Sequence, residues 1–334
     1  MTARTDVVYK SLGRTALQVS TPCLGTLNLG VRTTEDEGHA LMDHALDNGV
    51  NFVDTADTYG WQVHRGYTEE LIGRWFAQGG GRRERVVLGT KVFGAMGDGP
   101  NDGGLSARHI VAACEDSLRR LRTDWIDLYQ MHHVDRRAPW EEIWQAMELL
   151  VAQGKVRYVG TSNFAGWHLA AAQESATRRH FLGVVSEQCV YNLVTRHVEL
   201  ELIPAARAYG IAVLAWSPLH GGLLGGALRK LADGTAVKTA QGRAMEALDG
   251  HRSALAAYEK LCAELGEPPA RVGLAWVMSR PGVTAPVIGP RTVEQLDDAL
   301  RAACLELPEE VLTRLDELFP PVGKGGPAPE AWCW

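Results

Sequence analysis

The stretch Phe52-Val53-Asp54-Thr55-Ala56-Asp57-Thr58-Tyr59-Gly60 decides how this chain is read. Phe52-Val53 is a short apolar run that delivers Asp54 at its end, and Tyr59 follows in what reads as a loop. Three more apolar runs end in polar anchors. Lys91 follows Val86-Val87-Leu88, His132 follows Ile126-Asp127-Leu128-Tyr129, and Ser162-Asn163 follows Val156-Arg157-Tyr158-Val159. Carboxylate, phenol, ammonium and imidazole on successive strand ends would converge if the strands close into a parallel barrel.

Working outward, strand and helix patterns alternate along the chain. Residues 9–20 read as a hairpin turning at Gly13-Arg14, and Cys23-Leu24-Gly25-Thr26 as a buried strand. Thr34 before Glu35-Asp36-Glu37 marks a helix start, and Asn48-Gly49 its stop. Strand–helix pairs then follow at 51–54 and 67–78, 86–91 and 106–121, 126–131 and 139–153, 156–161 and 165–177, and 184–188 and 198–209. A strand at 211–216 leads into a long Gly-rich connection over 219–250 and helices near 251–265 and 268–280. Pro286-Val287-Ile288-Gly289 is the last strand, before a helix at 292–302. Continuous apolar runs suit parallel strands covered on both faces. An open doubly wound sheet would alternate in the same way. Eight strands, with Asp54, Lys91, His132, Ser162, Asn163, Gln188 and Trp216 at their carboxyl ends, favour a single (β/α)8 TIM barrel spanning 1–334. Long loops would lie at its C-terminal face, and the tail 320–334 reads as a frayed end or a flap over the mouth.

Composition sets the outer limits. An apolar fraction of 46% supports a large core, and a charged fraction of 22% is ordinary. A net charge of −6 without basic–aromatic runs gives no sign of a nucleic-acid partner. Arg82-Arg83-Glu84-Arg85 reads as a solvated loop. The 6 cysteines are scattered, which argues for reduced thiols rather than a disulfide framework. No signal-peptide pattern and no membrane-length apolar run is visible, so a cytoplasmic protein is expected.

The four anchors suit the reduction of a carbonyl. Hydride arriving at carbon builds negative charge on oxygen, which a nearby acid must protonate. Tyr59 is a poor donor unless an ammonium such as Lys91 favours its phenolate, with Asp54 holding that ammonium. His132 can donate to the carbonyl oxygen and orient it. Each residue alone has an ordinary structural use; their joint placement argues for a site. His132-His133 with Asp135 invites a metal reading. Adjacent strand residues point to opposite faces, and no second ligand pair follows, so no metal is expected. The Gly-rich segment from Ser217 to Gly226 and the helix opening at Gly289-Pro290-Arg291-Thr292 are two anion-friendly loops. Side by side they suggest a dinucleotide across the mouth.

At this point the chain resembles the aldo-keto reductase family. The matching pieces run from Gly25-Thr26 through Phe52–Ala56 with Tyr59-Gly60, Gly89-Thr90-Lys91, Ile126–His132, Gly160–Phe164 and Trp216–Leu219 to Gly289–Leu296. The resemblance implies a barrel whose N-terminal hairpin closes the base. It implies NADPH-dependent reduction of aldehydes or ketones by Asp54, Tyr59, Lys91 and His132, with Tyr59 as general acid. It further implies that Ser162, Asn163 and Gln188 hold the nicotinamide amide and that Trp216 stacks on its ring. Ser217, Leu219 and Gly221 would follow the pyrophosphate, and Arg291 with Gln295 the 2′-phosphate. Where many members carry asparagine near the adenine this chain has Ala299, and Asp298 would substitute. Trp61, Phe93 and His133 would line the substrate pocket. Gly66 to Gly80 resembles reductases of bacterial deoxysugar pathways, which implies a nucleotide-linked keto-sugar. The partner expected is a small-molecule carbonyl compound, with oligomerisation left open. The competing reading is a cofactor-sensing interaction protein that binds NADPH and turns over slowly.

Overall fold

In a computed structural model of the protein, residues 7–235 and 242–322 are described. A hairpin comes first, β1 (Val8–Ser11) with β2 (Gln18–Thr21). Eight strands follow: β3 (Cys23–Gly25), β4 (Phe52–Asp54), β5 (Val87–Val92), β6 (Ile126–Met131), β7 (Val156–Ser162), β8 (Val184–Val190), β9 (Ala212–Trp216) and β10 (Val283–Ile288). They pair in parallel with their sequence neighbours, and β10 pairs with β3 to close the barrel. The expected (β/α)8 architecture is therefore the observed one.

Helices wrap the outside. The first six are α1 (Glu35–Asp47), α2 (Tyr67–Phe76), α3 (Arg82–Arg85), α4 (Ala107–Leu121), α5 (Trp140–Ala152) and α6 (Gly166–Arg178). The rest are α7 (Leu202–Ala208), α8 (Ala227–Ala232), α9 (Arg243–Leu265), α10 (Pro269–Ser279), α11 (Val293–Ala302) and α12 (Glu309–Leu318). Local chemistry sets many of their starts. Thr34 and Glu37 form a capping box on α1, and Ser106 and Thr292 cap α4 and α11.

Alternation along the strands divides the barrel interior into two levels. The lower level is apolar: Phe52, Val87, Leu128, Val185, Ala212 and Leu214 pack together with Leu12 and Val19 of the hairpin segment. The hairpin thus plugs the base, as the family resemblance implied. The upper level carries Asp54, Lys91, Gln130 and Gln188, all buried. Outside, Trp75, Trp144 and Trp276 are among the largest fully buried side chains, packed between strands and helices.

Four expectations change. The solvated loop expected at 82–85 is the short helix α3, and Arg83 is 7% exposed. Its guanidinium donates to Asp127 (2.8 Å), Thr123 (2.9 Å) and the carbonyls of Val86 and Trp125. A five-donor fork can satisfy that many acceptors at once, and here it ties the base of β5 to β6. The single helix expected at 198–209 is broken into a 3-10 turn, His197–Glu199, and α7. Pro204 is the cause: its ring would clash with the Leu200 carbonyl inside a continuous helix, so it must sit in a first turn. The connection 219–250 is not all loop, because α8 lies within it and α9 begins at Arg243. Ala244, Leu248, Leu255, Tyr258 and Cys262 form one buried face that carries the helix through Gly250. The helix α12 is an addition to the expected pairs, with Val311 and Leu315 buried. The tail expectation rests on residues from Gly323 onward, which lie outside the described residues.

Gly73 shows how tightly the helices meet. A Cβ there would lie 2.1 Å from the Arg120 carbonyl oxygen and 2.9 Å from the Leu121 carbonyl carbon, both backbone atoms of α4. Gly73→Ala should therefore destabilise the fold by about 1–3 kcal/mol, although alanine is the better helix former by about 1 kcal/mol. Thermal unfolding measures the balance. A melting temperature equal to or above the wild type would mean that α2 and α4 are not in this contact.

Candidate active site at the barrel mouth

The site grows from the strand ends. Asp54 and Lys91 both point inward because each is an even number of residues from an inward apolar neighbour, Phe52 and Val87 respectively. Lys91 is wholly buried, and Asp54 is 1% exposed. The Lys91 Nζ donates to Asp54 Oδ2 at 2.5 Å, to the Thr55 carbonyl at 2.9 Å and to the Tyr59 hydroxyl at 3.4 Å. Asp54 Oδ1 accepts from Gln130 Nε2 and Gln188 Nε2, both at 2.9 Å. The Tyr59 and His132 rings meet edge to face, with centroids 6.0 Å apart. All four residues expected to act together are therefore brought together.

The electrostatics differ from expectation in one respect. Burial pushes the Tyr59 phenol up, the Lys91 ammonium opposes it, and Asp54 and Asp57 add to the rise. The net direction is upward, so Lys91 does not lower the phenol below its ordinary range. The reason is burial first, with Asp54 beside Lys91 offsetting part of the ammonium's field. For Lys91 the balance falls the other way. Burial alone would lower its pKa, but Asp54 and then Tyr59 outweigh burial and raise it. His132 is pushed down to about 3, chiefly by burial, then by Lys91 and His133.

Ser162 and Asn163 form the turn after β7. Asn163 takes φ 63°, and its side-chain amide donates to the His132 carbonyl and Ser162 Oγ, both at 3.0 Å. Its oxygen accepts from Trp216 Nε1 at 3.1 Å, which joins the ends of β7 and β9. Ser162 Oγ donates to the Gln188 carbonyl at 2.8 Å. Behind this turn, Glu187 is buried, and burial raises its carboxyl to about 8. Its Oε1 accepts from the Phe164 amide at 3.0 Å. Gly25 ends β3, and Thr26 Oγ1 donates to the Asp54 carbonyl at 3.0 Å.

Two backbone segments face the mouth beside these groups. Ser217, Leu219 and Gly221 belong to a tight turn after β9, in which the Gly221 amide donates to Ser217 Oγ at 3.1 Å. Gly222 has φ 102°, and nothing lies within 4 Å of where its Cβ would stand. That turn leaves room for an anionic group to approach the backbone closely. After β10, Gly289 is held by Asn28 (2.7 Å to its carbonyl), and the Arg291 amide donates to Gln295 Oε1 at 2.9 Å. Asp298 Oδ1 accepts from Arg271 (2.8 Å) and Arg301 (3.2 Å), and its side chain stays 44% exposed. The carboxylate thus ties α11 to Arg271 of α10.

At the rim, Trp61 is 53% exposed, and Phe93 packs edge-on to His133 at 5.4 Å. His132 and His133 stack with centroids 5.1 Å apart and planes 10° from parallel. The expectation that they point to opposite faces is corrected. β6 ends at Met131, so strand alternation no longer applies to them. Among the described residues no cluster of three metal-ligating side chains occurs. No described helix is long and apolar enough to cross a membrane.

The sequence profile of the Aldo/keto reductase family matches residues 23–319. The chain belongs to that family. It is 54% identical, over 98% of its length and 99% of the relative's, to a protein of Bacillus subtilis named "uncharacterized oxidoreductase YrpG". It is 33% identical to a probable voltage-gated potassium channel subunit beta of Arabidopsis thaliana, covering 88% of this chain and 90% of that one. It is 31% identical to versiconal hemiacetal acetate reductase of Aspergillus parasiticus, covering 94% and 97%. This family member also carries residues that strand-end reading passed over. Gln130 lies two positions after the inward-facing Leu128 on β6, a signal that alternation could have revealed. Asn192 and Glu187 left no such mark.

A neutral His132 has a direct consequence. Its imidazole should show no titration between about pH 5 and about pH 8, where an ordinary histidine changes charge. Ring chemical shifts in labelled protein report this, and an inflection near the usual value would contradict the burial of the ring beside Lys91.

Proposed function

We propose that the protein is an NADPH-dependent carbonyl reductase acting on aldehydes or ketones, with Tyr59 as the general acid. The observation that carries the reading is the Lys91 ammonium, fully buried and within hydrogen-bonding reach of both Asp54 and Tyr59. A lysine in that position has an evident use when the neighbouring phenol loses a proton.

The residues fit a dinucleotide: an open glycine turn after β9, an arginine at the helix opening after β10, and an indole at the end of β9 between them. In this reading Ser162, Asn163 and Gln188 hold the nicotinamide amide and Trp216 its ring. Ser217, Leu219 and Gly221 follow the pyrophosphate, and Arg291 with Gln295 the 2′-phosphate. The bound cofactor would supply a hydride to the carbonyl carbon. His132, neutral, donates a hydrogen bond to the carbonyl oxygen and orients it. Tyr59 gives its proton to that oxygen as charge builds there. The Lys91 ammonium then faces the phenolate and steadies it, while Asp54 keeps the ammonium in place. Gln130 and Gln188 fix the Asp54 carboxylate, so the acid–base chain and the proposed cofactor amide site share one residue.

The substrate we favour is a carbonyl compound that reaches Tyr59 past Trp61, Phe93 and His133, with a nucleotide-linked keto-sugar as the finer version to screen. A second reading has support in the likeness to channel β subunits: NADPH binding with slow turnover and a sensing role.

Loss of NADPH absorbance with an aromatic aldehyde tests the first reading. Tyr59→Phe should lower kcat/KM by about 10²–10⁴-fold, while NADPH affinity stays within about threefold. Wild-type turnover in the mutant would remove Tyr59 from the role of acid. Tight NADPH binding with turnover far below about 1 per second on every carbonyl compound tried would favour the sensor.

A further inference from the structure

The turn after β9 is held in an uncommon conformation. Ser217 has φ 53° and His220 has φ 47°, both left-handed without being glycine. Such residues cost of order 1 kcal/mol or more each and persist only where the surroundings impose them. What imposes them is the loop after β8.

Asn192 sits at the start of that loop with no solvent exposure. Its side-chain nitrogen donates to the Ser217 carbonyl at 2.9 Å. Its oxygen accepts from the Val194 amide at 3.0 Å and the Thr195 amide at 2.8 Å. The same Ser217 carbonyl accepts the His220 amide at 2.9 Å, so Asn192 and the turn share one acceptor. A second link lies close by, from Thr195 Oγ1 to His220 Nδ1 at 3.3 Å. The Asn192 loop is itself anchored. Arg196, 5% exposed, pairs with Glu199 at 2.8 Å and Asp316 at 2.6 Å and donates to the Phe319 carbonyl at 2.8 Å. A rigid loop therefore grips both ends of the left-handed turn.

We infer that Asn192 is a positioning residue for nucleotide binding, presetting the Ser217–Gly222 turn through the Ser217 carbonyl. The inference rests on the reading of that turn as the pyrophosphate strap. A strap already held in shape costs little ordering on binding, whereas a released one must be ordered by the ligand. Asparagine is required because the position needs one donor toward Ser217 and one acceptor for two amides. No other side chain of that size and reach offers both.

Asn192→Asp separates the two jobs. Aspartate keeps the acceptor bonds to Val194 and Thr195, so the loop retains its shape. It loses the donor and sets a carboxylate oxygen against the Ser217 carbonyl. Fluorescence titration with NADPH should show about tenfold weaker binding, a size expected for losing one buried hydrogen bond. The kcat at saturating NADPH should stay within about twofold, the pattern of lost uniform binding. Thr195→Val, which removes only the hydroxyl facing His220, should weaken binding about threefold. Melting temperatures without NADPH report folding, and if Asn192→Asp unfolds early, Thr195→Val carries the test. Both variants binding NADPH as the wild type does would overturn the role of Asn192. A wild type that binds no NADPH would overturn the strap reading beneath it.

Discussion

A lysine ammonium with no exposure to solvent is tenable in a barrel only when a carboxylate meets it, and Asp54 meets Lys91 at 2.5 Å. Desolvating both charges costs several kcal/mol per ion, and removing either partner leaves the other stranded. The surrounding groups follow from that demand. Thr55 offers a carbonyl to the ammonium, while Gln130 and Gln188 offer amides to the carboxylate. Tyr59 is what remains in reach of the ammonium on the open side. The polar upper level of the barrel is thus one connected network over an apolar floor, closed from below by the hairpin residues Leu12 and Val19.

That network also explains why the phenol is not lowered. Burial is the largest influence on Tyr59, and Asp54 offsets part of what Lys91 does, so the proton stays on oxygen. A phenol of this kind does not ionise in the resting site; it gives up its proton only to an oxygen that has already become strongly basic. His132 is neutral chiefly because it is buried, and an imidazolium there would also face Lys91 without a carboxylate of its own. The fold places one cation, and no more, next to the acid.

Much of this was legible from residues alone. Asp54, Lys91 and His132 each end a short apolar run, and strand alternation made the common direction of Asp54 and Lys91 predictable. Capping chemistry at Thr34 located a helix start. What resisted reading depended on partners far away in sequence. Arg83 looked like one of several loop arginines until Asp127 and two carbonyls were folded against it. Asp298 gave no sign of an ion pair until Arg271 reached it from the preceding helix. Asn192 carried no local signal at all, because its use lies in a carbonyl 25 residues later.

The sequence by itself determined the kind of fold and the strand ends at which chemistry could occur. Period-two alternation and helix caps are local properties, readable without partners. Only the tertiary structure decided how those groups act on each other: the raised phenol, the neutral imidazole, and the left-handed turn held by Asn192. Such effects depend on distance and exclusion of water, and both exist only once the barrel has closed.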